Sequence, residues 1–199
     1  MIAIDEWGAL LFDLDGTLVD TMPLHYRAYA EVFRGEGLNL SEAVFMDVIG
    51  APARAAIPKM LDAIGAPPRE AEAIVRLHEA KKQVFESILA AAPPHALSAA
   101  RLLERWHGRK PCALVSSGNR SGVTAILVRM GWSGWFEAIV TGDEIERGKP
   151  APDPFLRAAA LLRVAPARCL VFEDTDDGLA AADAAGMARV DVRAEAVAP

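Results

Sequence analysis

Short apolar runs recur at residues 9–12, 112–115, 138–141, 169–172 and 188–192, with amphipathic stretches between them. Runs of this length predict strands buried inside a parallel sheet. Helical periodicity occupies residues 98–107, 121–130, 154–163 and 178–185, and Gly108, Gly131 and Gly186 stand where helix C-terminal caps are expected. Strand–helix alternation predicts an α/β fold, a doubly wound, Rossmann-like parallel sheet, with ligands at the carboxyl ends of the strands.

One region departs from that alternation. Between residues 22 and 94 the spacing is helical throughout, with helices expected at 23–33, 41–49, 54–64 and 69–91. In the last of these, Ala71, Ile74, Val75, His78, Phe85, Ile88 and Leu89 form one apolar stripe. Pro67-Pro68 precedes it and Pro93-Pro94 ends it. The expected organisation is therefore an α/β core of residues 1–21 and 95–199, with an all-helical cap inserted at 22–94 and hinges near 21–23 and 92–95. The sequence has no internal repeat and no low-complexity tract beyond scattered alanines.

Composition narrows the class. The 199 residues are 52% hydrophobic and 24% charged, an ordinary globular balance. A net charge of −6 argues against nucleic acid as a partner but leaves an anionic substrate open, because a bound divalent cation inverts the local field. Cys112 and Cys169 both fall in apolar runs and are expected to be buried free thiols. No apolar stretch approaches a membrane span, and the first residues lack a signal peptide's basic start, so a cytoplasmic protein is expected. Oligomeric state leaves no trace in the sequence.

Four short segments carry candidate chemistry, and each also has a plainer structural explanation. Asp13-Leu14-Asp15-Gly16-Thr17 follows the first strand and places two carboxylates two residues apart. They suit a Mg²⁺ site in which Asp13 is also a nucleophile and Asp15 a general acid; the alternative is a polar Asp-Gly turn. Ser116-Ser117-Gly118-Asn119 follows the second strand. Its hydroxyls and turn amides can hold phosphate oxygens, or serve only as loop and helix cap. Lys149, fixed within Gly148-Lys149-Pro150-Ala151-Pro152, can reach both the nucleophilic carboxylate and a phosphate, or be an exposed loop lysine. In Glu173-Asp174-Thr175-Asp176-Asp177, Asp174 suits a metal ligand and Glu173 a partner for Lys149 or a metal-bound water. Asp177 could instead cap the next helix.

In this order the motifs resemble the haloacid-dehalogenase-like hydrolase superfamily, and the match spans nearly the whole chain. The resemblance implies that Asp13 becomes an aspartyl-phosphate and that Asp15 is the acid/base. It further implies that Ser116 and Lys149 hold the phosphoryl group, with Asp13, Asp174 and the Asp15 backbone carbonyl at Mg²⁺. Asp15 favours phosphoryl chemistry, because dehalogenases of the superfamily lack the second Asp. The helical insertion is similar to that of the β-phosphoglucomutase and sugar-phosphatase subgroup. Asp20-Thr21-Met22-Pro23-Leu24-His25, Trp106-His107-Gly108-Arg109 and Asp191-Val192-Arg193 resemble bacterial fructose-1-phosphate/6-phosphogluconate phosphatases. By the same resemblance His25, Arg54 and Lys81 contact the substrate, although His25 could simply pack and Arg54 and Lys81 could be surface residues. Mutases of this group carry a lysine after the second strand; Ser116–Asn119 has none, and Arg120 is the nearby cation that could replace it. The resulting expectation is a Mg²⁺-dependent phosphatase of a small sugar or sugar-acid phosphate, with a mutase, and more remotely a non-catalytic binding member, as rivals.

Overall fold

A computed structural model describes residues 3–48 and 53–194, apart from the side chains of residues 53 and 54. The chain divides into two compact units, Met1–Thr21 with Pro94–Pro199, and Met22–Pro93.

The first unit is built on five parallel strands, β1 (Ala9–Phe12), β4 (Cys112–Ser116), β5 (Ala138–Thr141), β6 (Cys169–Glu173) and β7 (Ala188–Asp191). Their spatial order is β5-β4-β1-β6-β7. The chain thus builds outward from β1 on one side, then crosses back and builds outward on the other. Strand order reverses at β1, and in doubly wound sheets the crevice at that reversal is where ligands bind. Register places Phe12 level with Leu114 and Phe172, so β1 and its neighbours end together.

Helices α5 (Ser98–Trp106), α6 (Arg120–Met130), α7 (Asp153–Leu162) and α8 (Asp176–Ala184) join the strands. The strands are apolar on both faces because both are covered. Leu11, Val115, Val140 and Val171 pack with Phe155 and Ala158 of α7 and Ala181 and Ala182 of α8. Their alternates Leu10, Phe12, Leu114 and Phe172 are equally buried on the opposite face, where the Phe12 and Phe172 rings stack at 4.8 Å. Truncating one of these leucines to alanine costs about 2–5 kcal/mol, transfer and cavity terms together. Cys112 and Cys169 are buried free thiols.

β4 and β6 each run one residue further than their apolar stretches suggest, so Ser116 and Glu173 end strands rather than begin loops. α8 begins at Asp176 and is capped by Thr175, whose Oγ1 accepts from the Gly178 amide at 3.1 Å; Asp177 is not the cap. Two further strands, β2 (Val19–Asp20) and β3 (His95–Ala96), pair antiparallel where the chain leaves this unit and returns to it. Two-residue strands are too short to leave a periodic signal.

The second unit holds α1 (Met22–Gly35), α2 (Glu42–Val48), α3 (Ala53–Ala63) and α4 (Ala71–Ala91). Its core includes Tyr29, Phe33, Phe45, Ile57, Met60 and Leu77. The buried line of α4 is Leu77, Lys81, Phe85 and Leu89, rotated from the apolar stripe; Val75 is 51% exposed. Lys81 turns the stripe, because its four-carbon stem packs like an aliphatic chain. Among the described residues no helix is long and apolar enough to cross a membrane.

Candidate active site

The carboxyl ends of β1, β4 and β6 bring Asp13, Ser116 and Glu173 to one edge of the sheet. Asp13 directly follows β1; its amide donates to the Phe172 carbonyl at 3.0 Å and continues the ladder with β6. Its side chain is 10% exposed. The chain then turns sharply, with the Gly16 amide bonded to the Val19 carbonyl at 2.8 Å. Gly16 has φ +92°, and a Cβ there would stand 2.1 Å from Oδ2 of Asp174. Glycine is required twice at this position, for its backbone angle and for the close approach of that carboxylate.

Lys149 is the centre of the site. Its Nζ donates to Asp13 Oδ1 at 2.6 Å, Glu173 Oε1 at 2.5 Å and the Val115 carbonyl at 3.1 Å. The side chain is 5% exposed and its ammonium lies 5.1 Å from the Phe155 ring centroid. All three donor directions of the ammonium are therefore used, and the exposed-loop alternative is removed. Glu173 is fully buried, and its Oε2 accepts from the Thr175 amide at 2.7 Å and the Thr175 hydroxyl at 2.9 Å. A Cβ at Gly178 would stand 2.0 Å from the Glu173 carboxyl carbon, so glycine in the first turn of α8 admits that carboxylate.

Asp174 accepts from Thr17 Oγ1 at 2.9 Å, and burial pushes its carboxyl up to about 6. Asp15 is held through Oδ1 by the Thr21 hydroxyl, and Ser116 Oγ lies 3.5 Å from its Oδ2. Ser116 Oγ also accepts from the Gly118 amide at 3.0 Å. Ser117 is exposed at the head of the loop, and Asn119 caps α6 by accepting from the Gly122 amide at 2.9 Å.

The electrostatics are those of an acidic cluster with one cation. Burial raises the Asp13 carboxyl well above its ordinary range; Lys149 pulls it down, while Glu173, Asp174 and Asp15 push it further up. Burial would lower the Lys149 ammonium, but Asp13 and Glu173 outweigh it, so lysine stays charged. Four carboxylates against one ammonium leave an excess of negative charge that a divalent cation would neutralise. The donor set of Asp13 and Asp174 is all oxygen, which suits Mg²⁺. Among the described residues no three acidic, histidine or cysteine side chains form a ready-made metal cage.

Several contributors carry no clear signal in the sequence. Thr17, Thr21 and Thr175 each hold an acid of the cluster. Gly178 interrupts a helical pattern, and an isolated glycine there is a hint of close approach. The Arg120 guanidinium donates to the Ile139 carbonyl at 2.9 Å and pairs with Glu144.

In the helical unit, Lys81 Nζ lies 2.8 Å from His25 Nδ1, above the rings of Tyr29 and Phe85. The His25 ring stacks on Phe85 at 4.4 Å. Lys81 is 8% exposed, which excludes a solvated helix face. Arg54 belongs to α3, and its side chain lies outside the described residues.

This arrangement has known relatives. The family profile of haloacid dehalogenase-like hydrolase matches residues 7–186. A fructose-1-phosphate phosphatase, YqaB of Escherichia coli, is 35% identical over 200 residues, covering 95% of this chain and 98% of the relative. A phosphorylated carbohydrates phosphatase of Thermotoga maritima is 32% identical over 183 residues, covering 92% of this chain and 83% of the relative. Among solved structures, CbbY from Rhodobacter sphaeroides in complex with phosphate superposes with TM-score 0.82 at 27% identity, over 92% of this chain and 84% of that one. With the profile matching residues 7–186 and relatives above 30% identity covering more than nine-tenths of its length, the chain belongs to the haloacid dehalogenase-like hydrolases.

Proposed function

We propose that this chain is a Mg²⁺-dependent phosphoric monoester hydrolase acting on a small sugar or sugar-acid phosphate through an aspartyl-phosphate at Asp13. The observation that carries the reading is the buried ammonium of Lys149 spanning Asp13 and Glu173. A carboxylate can approach an anionic phosphoryl group only where its own charge is offset, and Lys149 supplies that offset at the attacking side chain.

Asp13 forms a bond to phosphorus as the bond to the leaving alcohol breaks, and Asp15 gives that alcohol a proton. Asp15 then takes a proton from water, whose oxygen bonds to phosphorus while the Asp13–phosphorus bond breaks. The Asp13 carboxylate returns and inorganic phosphate leaves. Thr21 and Ser116 orient Asp15 for both transfers. Ser116 and Ser117, with the amides of their loop, hold phosphoryl oxygens. Asp13, Asp174 and the Asp15 carbonyl would hold Mg²⁺, which when bound neutralises charge on the transferring phosphoryl group.

We assign substrate selectivity to the helical unit as a cap, through His25, Lys81 and Arg54. The names of the Escherichia coli and Thermotoga maritima relatives support a phosphorylated sugar as substrate. The engagement of Arg120 with Glu144 and Ile139 favours hydrolysis over a mutase, which needs a cation for a second phosphate. A panel of sugar and sugar-acid phosphates, β-glucose 1-phosphate among them, assayed with and without Mg²⁺ tests the reading. Release of inorganic phosphate only with Mg²⁺ is expected. Conversion of β-glucose 1-phosphate to glucose 6-phosphate without free phosphate would replace hydrolase by mutase.

A further inference from the structure

The loop between β4 and α6 is braced from behind by groups with no part in the chemistry above. The Gly142 amide donates to the Gly118 carbonyl at 2.8 Å, and a Cβ on Gly142 would stand 2.3 Å from the Ser117 carbonyl oxygen. Next to it, Asp143 accepts from the Arg120 amide at 3.1 Å and 3.2 Å through its two oxygens. The fully buried Thr141 donates its hydroxyl to Asp143 Oδ1 at 2.6 Å. The Arg120 guanidinium closes the circuit on Glu144 and the Ile139 carbonyl. Side-chain hydrogen bonds hold both Asp143 and Glu144 below the ordinary carboxylate range, from Thr141 and from Arg120 respectively.

The end of β5 and the turn after it thus grip the loop at both ends, at Ser117–Gly118 and at the first residue of α6. A serine-glycine loop left to itself samples many conformations, and fixing one residue costs about 1–2 kcal/mol of backbone entropy. We propose that Asp143 and Arg120 are positioning residues that hold Ser117–Asn119 in its anion-binding shape before substrate arrives. This rests on the assignment of that loop to the phosphoryl group. A contact that pre-shapes a binding loop acts on bound substrate and transition state alike, so its loss appears in KM and in phosphate affinity rather than in kcat.

The test uses the full-length enzyme and inorganic phosphate as probe, with affinity read by calorimetry in the presence of Mg²⁺. Asp143→Ala and Arg120→Ala should each weaken phosphate binding and raise KM about threefold to tenfold, with kcat within about twofold, as expected for charge-assisted hydrogen bonds at a part-exposed site. Arg120→Ala keeps the backbone amide that Asp143 holds and removes only the guanidinium contacts, so the double variant should lose more than either single one. Asp143→Asn, which keeps an acceptor for the Arg120 amide and the Thr141 hydroxyl, should recover part of the affinity. Folded variants that bind phosphate as the parent does, with unchanged KM, would overturn the proposal. So would a loss carried by kcat alone. If Asp143→Ala does not fold, Arg120→Ala and Asp143→Asn decide by the same readings. Failure of the hydrolase reading shows separately, as a parent enzyme that binds phosphate but turns over no phosphomonoester.

Discussion

Replacing Lys149 by methionine perturbs the site at its electrostatic centre while keeping an unbranched stem beside Phe155. The substitution leaves Glu173, fully buried, and Asp13, 7% exposed, without their common cation. Removing one partner of a buried ion pair costs about 3–5 kcal/mol, since the remaining charge stays desolvated. At about 2–4 °C per kcal/mol for a chain of this size, Tm should fall by about 6–20 °C in metal-free buffer. The loss should also shrink on acidification. An acid whose folded pKa lies above its unfolded one contributes stability below the unfolded pKa that disappears as pH rises through the folded value. The Asp13 carboxyl is already raised in the parent, by burial first, and without Lys149 it rises further. Lys149→Met should therefore approach the parent's stability as pH falls from 8 toward 5. Pairing the change with Glu173→Gln should restore part of the stability, because the amide still accepts from Thr175 without burying a charge. Circular-dichroism melts of the single and double variants across that range are the assay. A loss under about 1 kcal/mol at pH 8, the scale of an exposed ion pair, or one that grows on acidification, would refute the reasoning.

Three further outcomes follow from the same geometry. Burial holds the Asp174 carboxyl near 6, so the ionised side chain costs folding stability above that pH and not below the unfolded value. Asp174→Asn should raise the metal-free Tm at pH 8, lose that advantage by pH 4, and abolish the Tm increase that Mg²⁺ gives the parent. Gly16→Ala puts a methyl group against the Asp174 carboxylate at a positive φ. It should cost about 1–3 kcal/mol on strain alone and weaken Mg²⁺ binding by calorimetry, whereas Gly37→Ala, also at positive φ but facing open space, should spare the metal. Lys81→Met removes a buried ammonium from the helical unit while preserving its packing on Phe85. Sugar-phosphate KM should rise.

The sheet was legible because its strands are buried on both faces. Ala9–Phe12 and Cys112–Val115 leave continuous apolar runs, and the acid or serine that follows each stands out against them. Asp13, Lys149, Glu173 and Asp174 could be nominated together for that reason, although they are scattered over 162 positions of sequence numbering, 13 to 174. The buried ends of β4 and β6 were harder to see, because Ser116 and Glu173 are polar residues that stay in the ladder only through partners far along the chain. The buried line of α4 is hard to read at Lys81, since a charged side chain joins an apolar line only through His25, Tyr29 and Phe85 around it. Thr17, Thr21, Thr175 and the Arg120–Asp143 brace were invisible for a related reason. Hydroxyls and surface charges have many ordinary uses, and only folding shows which acid each one meets.

The claim on which the whole account depends is that Asp13 carries the phosphoryl group. Acid-quenching the enzyme during turnover and reducing the acyl phosphate with borohydride should convert Asp13 to homoserine, located by peptide mass spectrometry. The account predicts homoserine at position 13 in the parent and neither homoserine nor phosphate release in Asp13→Asn. Steady phosphate release from Asp13→Asn, or rapid turnover in the parent with no modification at position 13, would contradict it.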